Sequence, residues 1–270
     1  MKKAVLTALL TLVLVACATS PTGRRQLMLV SPDEAIAASR TAYLSQMAAF
    51  DEQGLLSTDE ALNERVRLIT GRLVAQAVQM FPNTANWEWT VAVIDDPETV
   101  NAWAMAGGRM AIYTGLIEQL DASDDEIAQV MGHEIAHALA NHTAEKMSVA
   151  MATQLGVLAV GVSTEDTRAM AGAALAATLA VNLPFSRTAE SESDRIGIEL
   201  AARAGYRPQA AVTLWRKMAE VGGDGPPQFL STHPAPANRE RTLSELVPQM
   251  MPLYEAAQNP PVYPVKQGGY

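Results

Sequence analysis

Apolar side chains recur at helical spacing over residues 58 to 80. They fall three to five positions apart, so they share one face of a helix whose other face is polar. An earlier helix is predicted to begin at Ser31-Pro32, a pair typical of a helix start. The positions that form the apolar face of the longer helix are Leu62, Val66, Ile69, Leu73 and Val78.

The pattern then changes from helical periodicity to alternation. Residues 87 to 95 (WEWTVAVID) alternate and are rich in strand-forming side chains, which predicts a strand. Residues 101 to 115 (NAWAMAGGRMAIYTG) predict two short strands around Gly107-Gly108. Residues 121 to 141 return to helical spacing with an acidic first turn.

Two apolar, alanine-rich runs follow, at residues 149 to 162 and 169 to 183. Each is shorter than the roughly 20 residues that a membrane span needs, and the charged segment STEDTR separates them. They predict a helical hairpin that is either buried or partly exposed. The alternative is a lid or a membrane-touching hairpin near the functional site.

The last third of the chain is predicted to be helical with irregular connections. Helices are expected over residues 187 to 205 and 208 to 221, a Gly/Pro-rich loop over 222 to 236, and a further helix to about residue 247. From Asn259 the sequence is rich in proline and glycine and predicts a loosely held tail. The fold class is therefore α+β, mostly helical with a small mixed sheet.

The first residues predict a targeting segment. Lys2 and Lys3 precede an apolar stretch at residues 4 to 15, and the only cysteine of the chain, Cys17, follows Ala16. A lone cysteine serves no intrachain disulfide, so this arrangement favours a bacterial lipoprotein signal with lipidation at Cys17. Ala18 after it points to the outer membrane. The alternative is an ordinary signal peptide cleaved after the Ala16-Cys17-Ala18 match.

The charge balance narrows the choice of partners. The chain has 20 Lys and Arg against 29 Asp and Glu, a formal net charge of -9. Such a chain repels phosphate backbones, and no basic cluster offsets this repulsion. Nucleic acid is therefore not expected as a partner.

The strongest chemical signal is the H-E-x-x-H motif at residues 133 to 137, inside a predicted helix. His133 and His137 share a helix face, so both imidazoles can reach one Zn²⁺ ion. Glu134 can take a proton from a zinc-activated water. A metzincin is excluded, because Ala140 and Thr143 stand where its glycine and third histidine would be.

A third ligand must therefore come from another segment. Glu190 and Asp194 are four residues apart and share one face of a predicted helix. Glu190 can complete the ligand set, and Asp194 can accept the free ring N–H of a ligand histidine. Spacing alone leaves open the alternative that both acids belong to a solvated charged face.

Several short motifs recur in one order along the chain. They are Thr22-Gly23-Arg24-Arg25, Asn101-Ala102-Trp103-Ala104 with Gly107-Gly108, Thr114-Gly115-Leu116, the HEIAH motif with His142, Ser186-Arg187 with Glu190 and Asp194, and Thr232-His233-Pro234 with Asn238-Arg239. In these motifs the chain resembles the HtpX/Oma and CAAX-prenyl-protease superfamily of zinc metallopeptidases (gluzincins), in its soluble, lipoprotein-anchored bacterial branch. The resemblance runs from about Pro21 to Leu246.

The resemblance implies a zincin-type domain with Glu190 as the third zinc ligand. It also implies an active-site edge strand around residues 102 to 113, against which an extended peptide is laid. The residues expected to bind that peptide are Asn101, Ala102, Trp103 and Ala104. Ser193 replaces the family's usual alanine. The interrupted apolar runs stand where membrane members have transmembrane helices, which puts integral membrane insertion in doubt.

The remaining histidines and the tryptophans have less certain roles. His233 is interpreted as catalytic, through the oxyanion of the tetrahedral intermediate, or as a cap on the zinc in a resting state, or as a loop anchor. His142 follows the helix end and could cap it or contact a loop. Trp87, Trp89, Trp103 and Trp215 are expected in the core or in groove walls.

These observations predict a division into residues 1–16 as a lipoprotein signal, 17–31 as a tether, 32–250 as the metallopeptidase domain and 251–270 as a tail. The function predicted is a zinc-dependent endopeptidase, with one Zn²⁺ per chain, lipid-anchored in the bacterial cell envelope on the periplasmic face of the outer membrane. By the resemblance, its substrates are misfolded or unassembled envelope proteins. The alternative is a chaperone or assembly factor that binds envelope proteins by β-augmentation with little proteolysis.

Overall fold

The computed structural model describes residues 17–163, 185–221, 227–234 and 238–268. The chain divides into two compact units. Of the described residues, the larger unit comprises those within 36–139 and 185–268, and the smaller comprises 17–35 and 140–163. The targeting segment predicted for residues 1–16 lies outside the described residues.

Helices make up most of the described chain. They are α1 (Pro32–Glu52), α2 (Glu60–Met80), α3 (Thr114–Gln119), α4 (Asp124–Leu139), α5 (His142–Ser163), α6 (Arg187–Arg203), α7 (Gln209–Glu220), α8 (Gln228–Thr232) and α9 (Arg239–Ala256), with a 3-10 turn at Pro82–Asn86. The strands are β1 (Cys17–Thr19), β2 (Arg25–Leu27), β3 (Thr90–Ile94), β4 (Ala102–Met105), β5 (Arg109–Tyr113) and β6 (Lys266–Gln267). The α+β, mostly helical class is confirmed.

The larger unit contains a four-stranded mixed sheet in the order β4-β5-β3-β6. β5 pairs with β3 in parallel and with β4 antiparallel, so the hairpin expected around Gly107-Gly108 is present. Of the range 102 to 113 that was implied as an edge strand, only β4 lies at the edge, because β5 lies between β4 and β3. Every residue of β3 and β5 is buried, which accounts for their nearly continuous apolar sequence.

Helix α2 shows how the sequence produces these elements. Asp59 caps its first turn, because one carboxylate oxygen accepts the N–H groups of Ala61 and Leu62 at 2.9 and 3.0 Å. Val66, Ile69 and Leu73 are fully buried, which confirms the middle of the predicted apolar face, whereas Leu62 and Val78 at its ends are only partly buried. On the sheet, Tyr43 and Met47 of α1 pack with Ala92, Ile94, Ala111 and Tyr113.

In the smaller unit, β1 and β2 form an antiparallel pair. The Arg24 guanidinium binds both carboxylate oxygens of Glu145 at 2.7 and 2.6 Å, and the Gln26 amide donates to the Ala140 carbonyl at 2.8 Å. The segment predicted as a polar tether is therefore structured over these residues, because its polar side chains find partners at the start of α5.

The apolar runs are only partly described. Helix α5 takes in the first run and begins earlier than expected, at His142. The second run, at 169 to 183, lies outside the described residues, so the hairpin stays a prediction. Among the described helices, none has the length and apolar character to cross a membrane.

The C-terminal segment differs from the loosely held tail that was predicted. Helix α9 continues to Ala256 rather than ending near residue 247. Beyond it, β6 pairs in parallel with β3, and the Tyr263 N–H donates to the Gly71 carbonyl at 2.9 Å. The physical reason is that the outer edge of β3 offers backbone groups for pairing, which composition does not reveal.

Candidate metal centre

Helix α4 brings the two histidines of the H-E-x-x-H motif together. A capping box starts this helix, since Glu126 accepts the N–H and hydroxyl of Ser123 at 3.0 and 2.9 Å. His133 and His137 lie one turn apart, and their Nε2 atoms are 3.1 Å apart. Both side chains are buried, so the pair faces the interior of the larger unit.

Two glycines allow α6 to cross close to this pair. A Cβ on Gly132 would lie 2.9 Å from the Gly197 carbonyl oxygen, and one on Gly197 would lie 2.8 Å from the backbone nitrogen of His133. Real Cβ atoms do not approach backbone so closely, so the crossing requires glycine at both positions. The close approach brings the acidic face of α6 to the histidines.

Glu190 meets both histidines at the crossing. Its Oε2 is 3.4 Å from His133 Nε2, and its Oε1 is 3.4 Å from His137 Nε2. Its side chain is fully buried, which excludes the solvated-face interpretation. Two ligands bound tetrahedrally to zinc at ~2.0–2.1 Å lie about 3.3 Å apart, so the observed separations fit a Zn²⁺ ion.

Asp194 lies one turn farther along α6. Its Oδ1 is 3.0 Å from Nδ1 of His133. A carboxylate at Nδ1 favours the tautomer that carries its proton there and leaves the Nε2 lone pair free for a metal. Asp194 thus lies beside His133, and its role as partner of a metal-binding histidine stays a prediction.

Arg239, at the start of α9, contacts both acids. Its Nε donates to Asp194 Oδ2 at 2.7 Å, and its Nη2 donates to Glu190 Oε2 at 2.8 Å and to Asp194 Oδ1 at 3.0 Å. Its guanidinium lies 3.6 Å from the ring centre of Trp215. Sequence reasoning assigned Arg239 no role, although the Asn238-Arg239 pair carried part of the resemblance.

Glu134 lies between the edge strand and the His-Pro segment. Its Oε2 accepts the backbone N–H of Ala104 in β4 at 3.1 Å, and its Oε1 is 3.4 Å from His233 Nε2. Burial raises the pKa of Glu134 above its ordinary 4.5. A raised pKa brings a carboxylate closer to the range in which a general base works at neutral pH.

The buried charges shift one another's proton affinities. Burial alone would lower the pKa of His133, but hydrogen bonds to Asp194 and Glu190 outweigh it and raise the pKa to about 9. Burial alone would raise the pKa of Glu190, but hydrogen bonds from His133, His137 and His233 hold it well below 4.5. A lowered pKa favours the ionised form of Glu190, which is the form in which a carboxylate binds a metal ion.

His233 follows α8 and lies inside the same group. Its Nδ1 is 3.1 Å from Glu190 Oε1, and its ring stacks on Phe229 at 4.5 Å. The Phe229 N–H donates to the Val100 carbonyl at 3.1 Å, which ties α8 to the segment leading into β4. One atom each from His133, His137, Glu190 and His233 lies within 4.8 Å of the others, so the four could hold one metal ion.

The predicted substrate strand borders this group only in part. Ala104 contacts Glu134 directly, and Trp103 is half-buried against Tyr43 at 5.7 Å. Asn101 and Ala102 are buried, and the Asn101 carbonyl accepts the Tyr113 N–H at 3.0 Å. Asn101 therefore helps to hold the start of β4 in place, because its carbonyl already accepts a hydrogen bond from β5.

The remaining candidates lie elsewhere. Trp87 and Trp89 pack on each other at 5.2 Å. His142 and Cys17 belong to the smaller unit, where His142 is buried and interacts electrostatically with Glu145 and Cys17 begins β1.

Two histidines one helical turn apart, a glutamate between them and a carboxylate from a second helix define a metallopeptidase domain of the zincin type. The model of peptidase family M48 matches residues 60–247. The chain therefore belongs to this family, which confirms the resemblance seen in its motifs.

Curated relatives agree with this assignment. The chain is 31% identical to the mitochondrial metalloendopeptidase OMA1 of Bos taurus, over 89% of this chain and 48% of that protein. It is 30% identical to the beta-barrel assembly-enhancing protease of Yersinia pestis, over 78% of this chain and 43% of that protein. The putative protein of that name in Vibrio cholerae is 31% identical over 72% of this chain and 41% of its own length. The chain thus spans about half the length of the curated relatives it matches.

Proposed function

We propose that this protein is a zinc-dependent metalloendopeptidase that hydrolyses internal peptide bonds. The observation that carries the proposal is the buried group of His133, His137, Glu190 and His233, with Glu134 Oε1 3.4 Å from His233 Nε2. Membership of a metallopeptidase family supports the same chemistry. His133, His137 and Glu190 would hold the metal, and Asp194 would orient His133.

Glu134 is the proposed general base. When bound, Zn²⁺ supplies Lewis-acid polarisation of the scissile carbonyl and lowers the pKa of a water toward ~7. Glu134 takes the proton of the attacking water and passes it to the leaving amine. The Ala104 N–H donates to Oε2 of this carboxylate, so Oε1, on the side of His233, is the oxygen that would carry the proton.

An extended peptide is the proposed form of the substrate. In the described part of the chain, β4 has a sheet neighbour on one side only, so its other side can accept an added strand. Because Ala104 in β4 bonds to Glu134, a peptide paired with β4 would pass directly beside the base. Trp103 and Ala104 would contact that peptide, while Asn101 and Ala102 would hold the strand in place.

The proposed location is the bacterial cell envelope, with a lipid on Cys17. The apolar stretch before Cys17 supports the anchor. Two bacterial relatives are named for assembly of β-barrels, and barrels of this kind are typical of the outer membrane. Misfolded or unassembled envelope proteins are therefore the proposed substrates, and the envelope assembly machinery a proposed partner.

The lipid anchor has a direct test. Intact-mass measurement of protein extracted from membranes should show a mature chain that starts at Cys17 and carries added acyl mass. A Cys17→Ser variant should lose that mass. A mature chain that begins at Thr19 without added mass would establish the ordinary signal peptide instead.

A binding protein with little proteolysis is the weaker candidate. The open edge of β4 would serve such a function equally well, but a binding protein has no need of the buried group around Glu134. The relatives are named as proteases or endopeptidases. Complete phenotypic rescue by a Glu134→Gln variant would favour binding over hydrolysis.

The deciding experiment combines metal analysis with digestion of casein, with and without a chelator. We expect one zinc per chain, cleavage of casein, loss of cleavage on chelation and recovery on adding zinc. Casein cleavage that survives complete removal of metal would contradict the proposal.

A further inference from the structure

We propose that Arg239 is the positioning residue of the metal centre, with Trp215 as its platform. Through one guanidinium it holds Glu190, a proposed zinc ligand, and Asp194, the acid behind His133, in a single preformed arrangement. The inference rests on the proposed zinc site and adds to it two residues from α7 and α9, helices that contribute no metal ligand.

The hydrogen bonds of Arg239 are divided between two different tasks. Its Nε and Nη2 donate hydrogen bonds to the two oxygens of Asp194, which fixes the carboxylate plane beside His133 Nδ1. Its Nη2 also reaches Glu190 Oε2. Since Glu190 Oε1 faces His137 and His233, the contact at Oε2 sets the rotation of the whole carboxylate. One side chain thus orients a ligand and a ligand's partner together.

Charge explains why a cation is needed here. Glu190 and Asp194 are one turn apart on the same face of α6, and like charges at this spacing repel. Both are buried, so water cannot screen that repulsion. Arg239, itself only 4% exposed, places its positive charge against both carboxylates. Its charge is present whether or not a metal is bound, so the arrangement does not depend on the metal.

The Trp215 ring explains why the cation is arginine. The guanidinium lies 3.6 Å from the indole centre, and a planar guanidinium can stack on an aromatic face while its edge donates hydrogen bonds. The same indole meets the His133 ring edge-on at 5.5 Å. A lysine would keep the charge but lose both the paired donors and the stacked plane.

Zinc affinity of an Arg239→Lys variant tests the inference. The apparent Kd for zinc, measured by competition with a chromophoric chelator, should rise about 10–100-fold, as for other residues that orient metal ligands. The matched control is Arg241→Lys on the same helix, since Arg241 is exposed and pairs with the exposed Glu245 at 3.7 Å. That variant should bind zinc like the wild type.

A merely structural role predicts a different pattern. It would lower the melting temperature of the metal-free and zinc-loaded proteins equally and leave the zinc Kd unchanged, and this result would overturn the inference.

The energetic coupling between Arg239 and Asp194 gives a second readout. If Arg239 acts through Asp194, an Asp194→Asn change should raise the zinc Kd much less in the Arg239→Lys background than in the wild type, and full additivity would contradict the proposal.

A Trp215→Leu variant keeps the test decisive if Arg239→Lys does not fold. It removes the platform and leaves every charge in place, and it should also raise the zinc Kd, with Trp215→Phe between it and the wild type. An unchanged Kd in Trp215→Leu would overturn the role of the platform.

If the wild type itself held no zinc, the proposed metal site would fail and this inference with it. If the wild type bound zinc and Arg239→Lys bound it with the same Kd, the inference would fail but the proposed metal site would stand.

Discussion

The two ends of helix α6 carry the same kind of residue in opposite settings. Near its start, Glu190 is fully buried among three histidines and Arg239. Near its end, Glu199 pairs with Arg203 at 2.8 Å on a partly exposed surface. Helix α9 repeats the contrast, with Arg239 buried and Arg241 exposed beside Glu245.

The contrast separates charges that serve a site from charges that serve solubility. An exposed pair contributes ~0.2–1 kcal/mol to stability, because water already solvates both partners. A buried carboxylate costs several kcal/mol of lost hydration, so it persists only where partners compensate. The burial of Glu190 and Asp194 at the start of α6 therefore indicates a function at that end, where both contact the histidines of α4.

Removing the buried ligand set should have the largest effect. A His137→Ala/Glu190→Ala variant is expected to lose bound zinc and all hydrolysis, because two of the three proposed protein ligands are gone. Elemental analysis and casein digestion measure both. A Glu199→Gln variant, at the other end of α6, should keep one zinc and full activity. Stoichiometric zinc in the double variant would refute the ligand assignment.

A Glu134→Gln variant should separate metal binding from proton transfer. The amide keeps the shape of the side chain but cannot accept a proton, so zinc should be retained while kcat falls by ~10²–10⁴-fold. Steady-state kinetics and metal content, measured on the same preparation, test this. Near-normal turnover would place the general base elsewhere.

His233→Ala distinguishes three roles for the buried histidine. If His233 donates to the oxyanion, kcat should fall by an equivalent of ~2–4 kcal/mol with little change in KM, because that interaction strengthens as charge develops. This is the outcome we expect. Increased activity would instead show that His233 caps the metal in a resting state. Unchanged kcat with a lower melting temperature would leave it as a loop anchor.

The pair of Glu126 and Lys217 is an intermediate case, with a buried acid and a half-exposed base. Burial would raise the pKa of Glu126, but hydrogen bonds from Lys217, Ser123 and Thr213 outweigh it and lower the pKa below 4.5. A depressed folded-state pKa contributes stability above the unfolded-state value, and that contribution is lost as pH falls through the folded-state pKa.

A Lys217→Met variant should therefore be less stable than the wild type at pH 7, by about 1 kcal/mol or less. The difference should shrink as the pH is lowered from 4.5 through the depressed pKa of Glu126. Urea denaturation at several pH values checks both statements. A difference that is constant from pH 7 to pH 3 would show that the lost contact is packing rather than charge.

Much of the architecture could be predicted because its determinants are local. The apolar spacing from Val66 to Leu73 requires only that one helix face be buried, and the alternation before Ile94 requires only a strand. The four-residue interval between His133 and His137 places both rings on one side of any helix, whatever surrounds it. These features follow from the repeat of the backbone.

Only the tertiary structure decided which charges meet. Spacing left Glu190 either a ligand or part of a solvated face, and the crossing at Gly132 and Gly197 decided between them, because it places α6 against α4 and excludes water. Arg239 lies 45 residues from Asp194, and no local pattern links them. The C-terminal strand paired with β3 for the same reason, since an open sheet edge exists only after distant strands have assembled. The local sequence determines which helix or strand each segment can form, and long-range contacts determine which of its side chains are buried away from water.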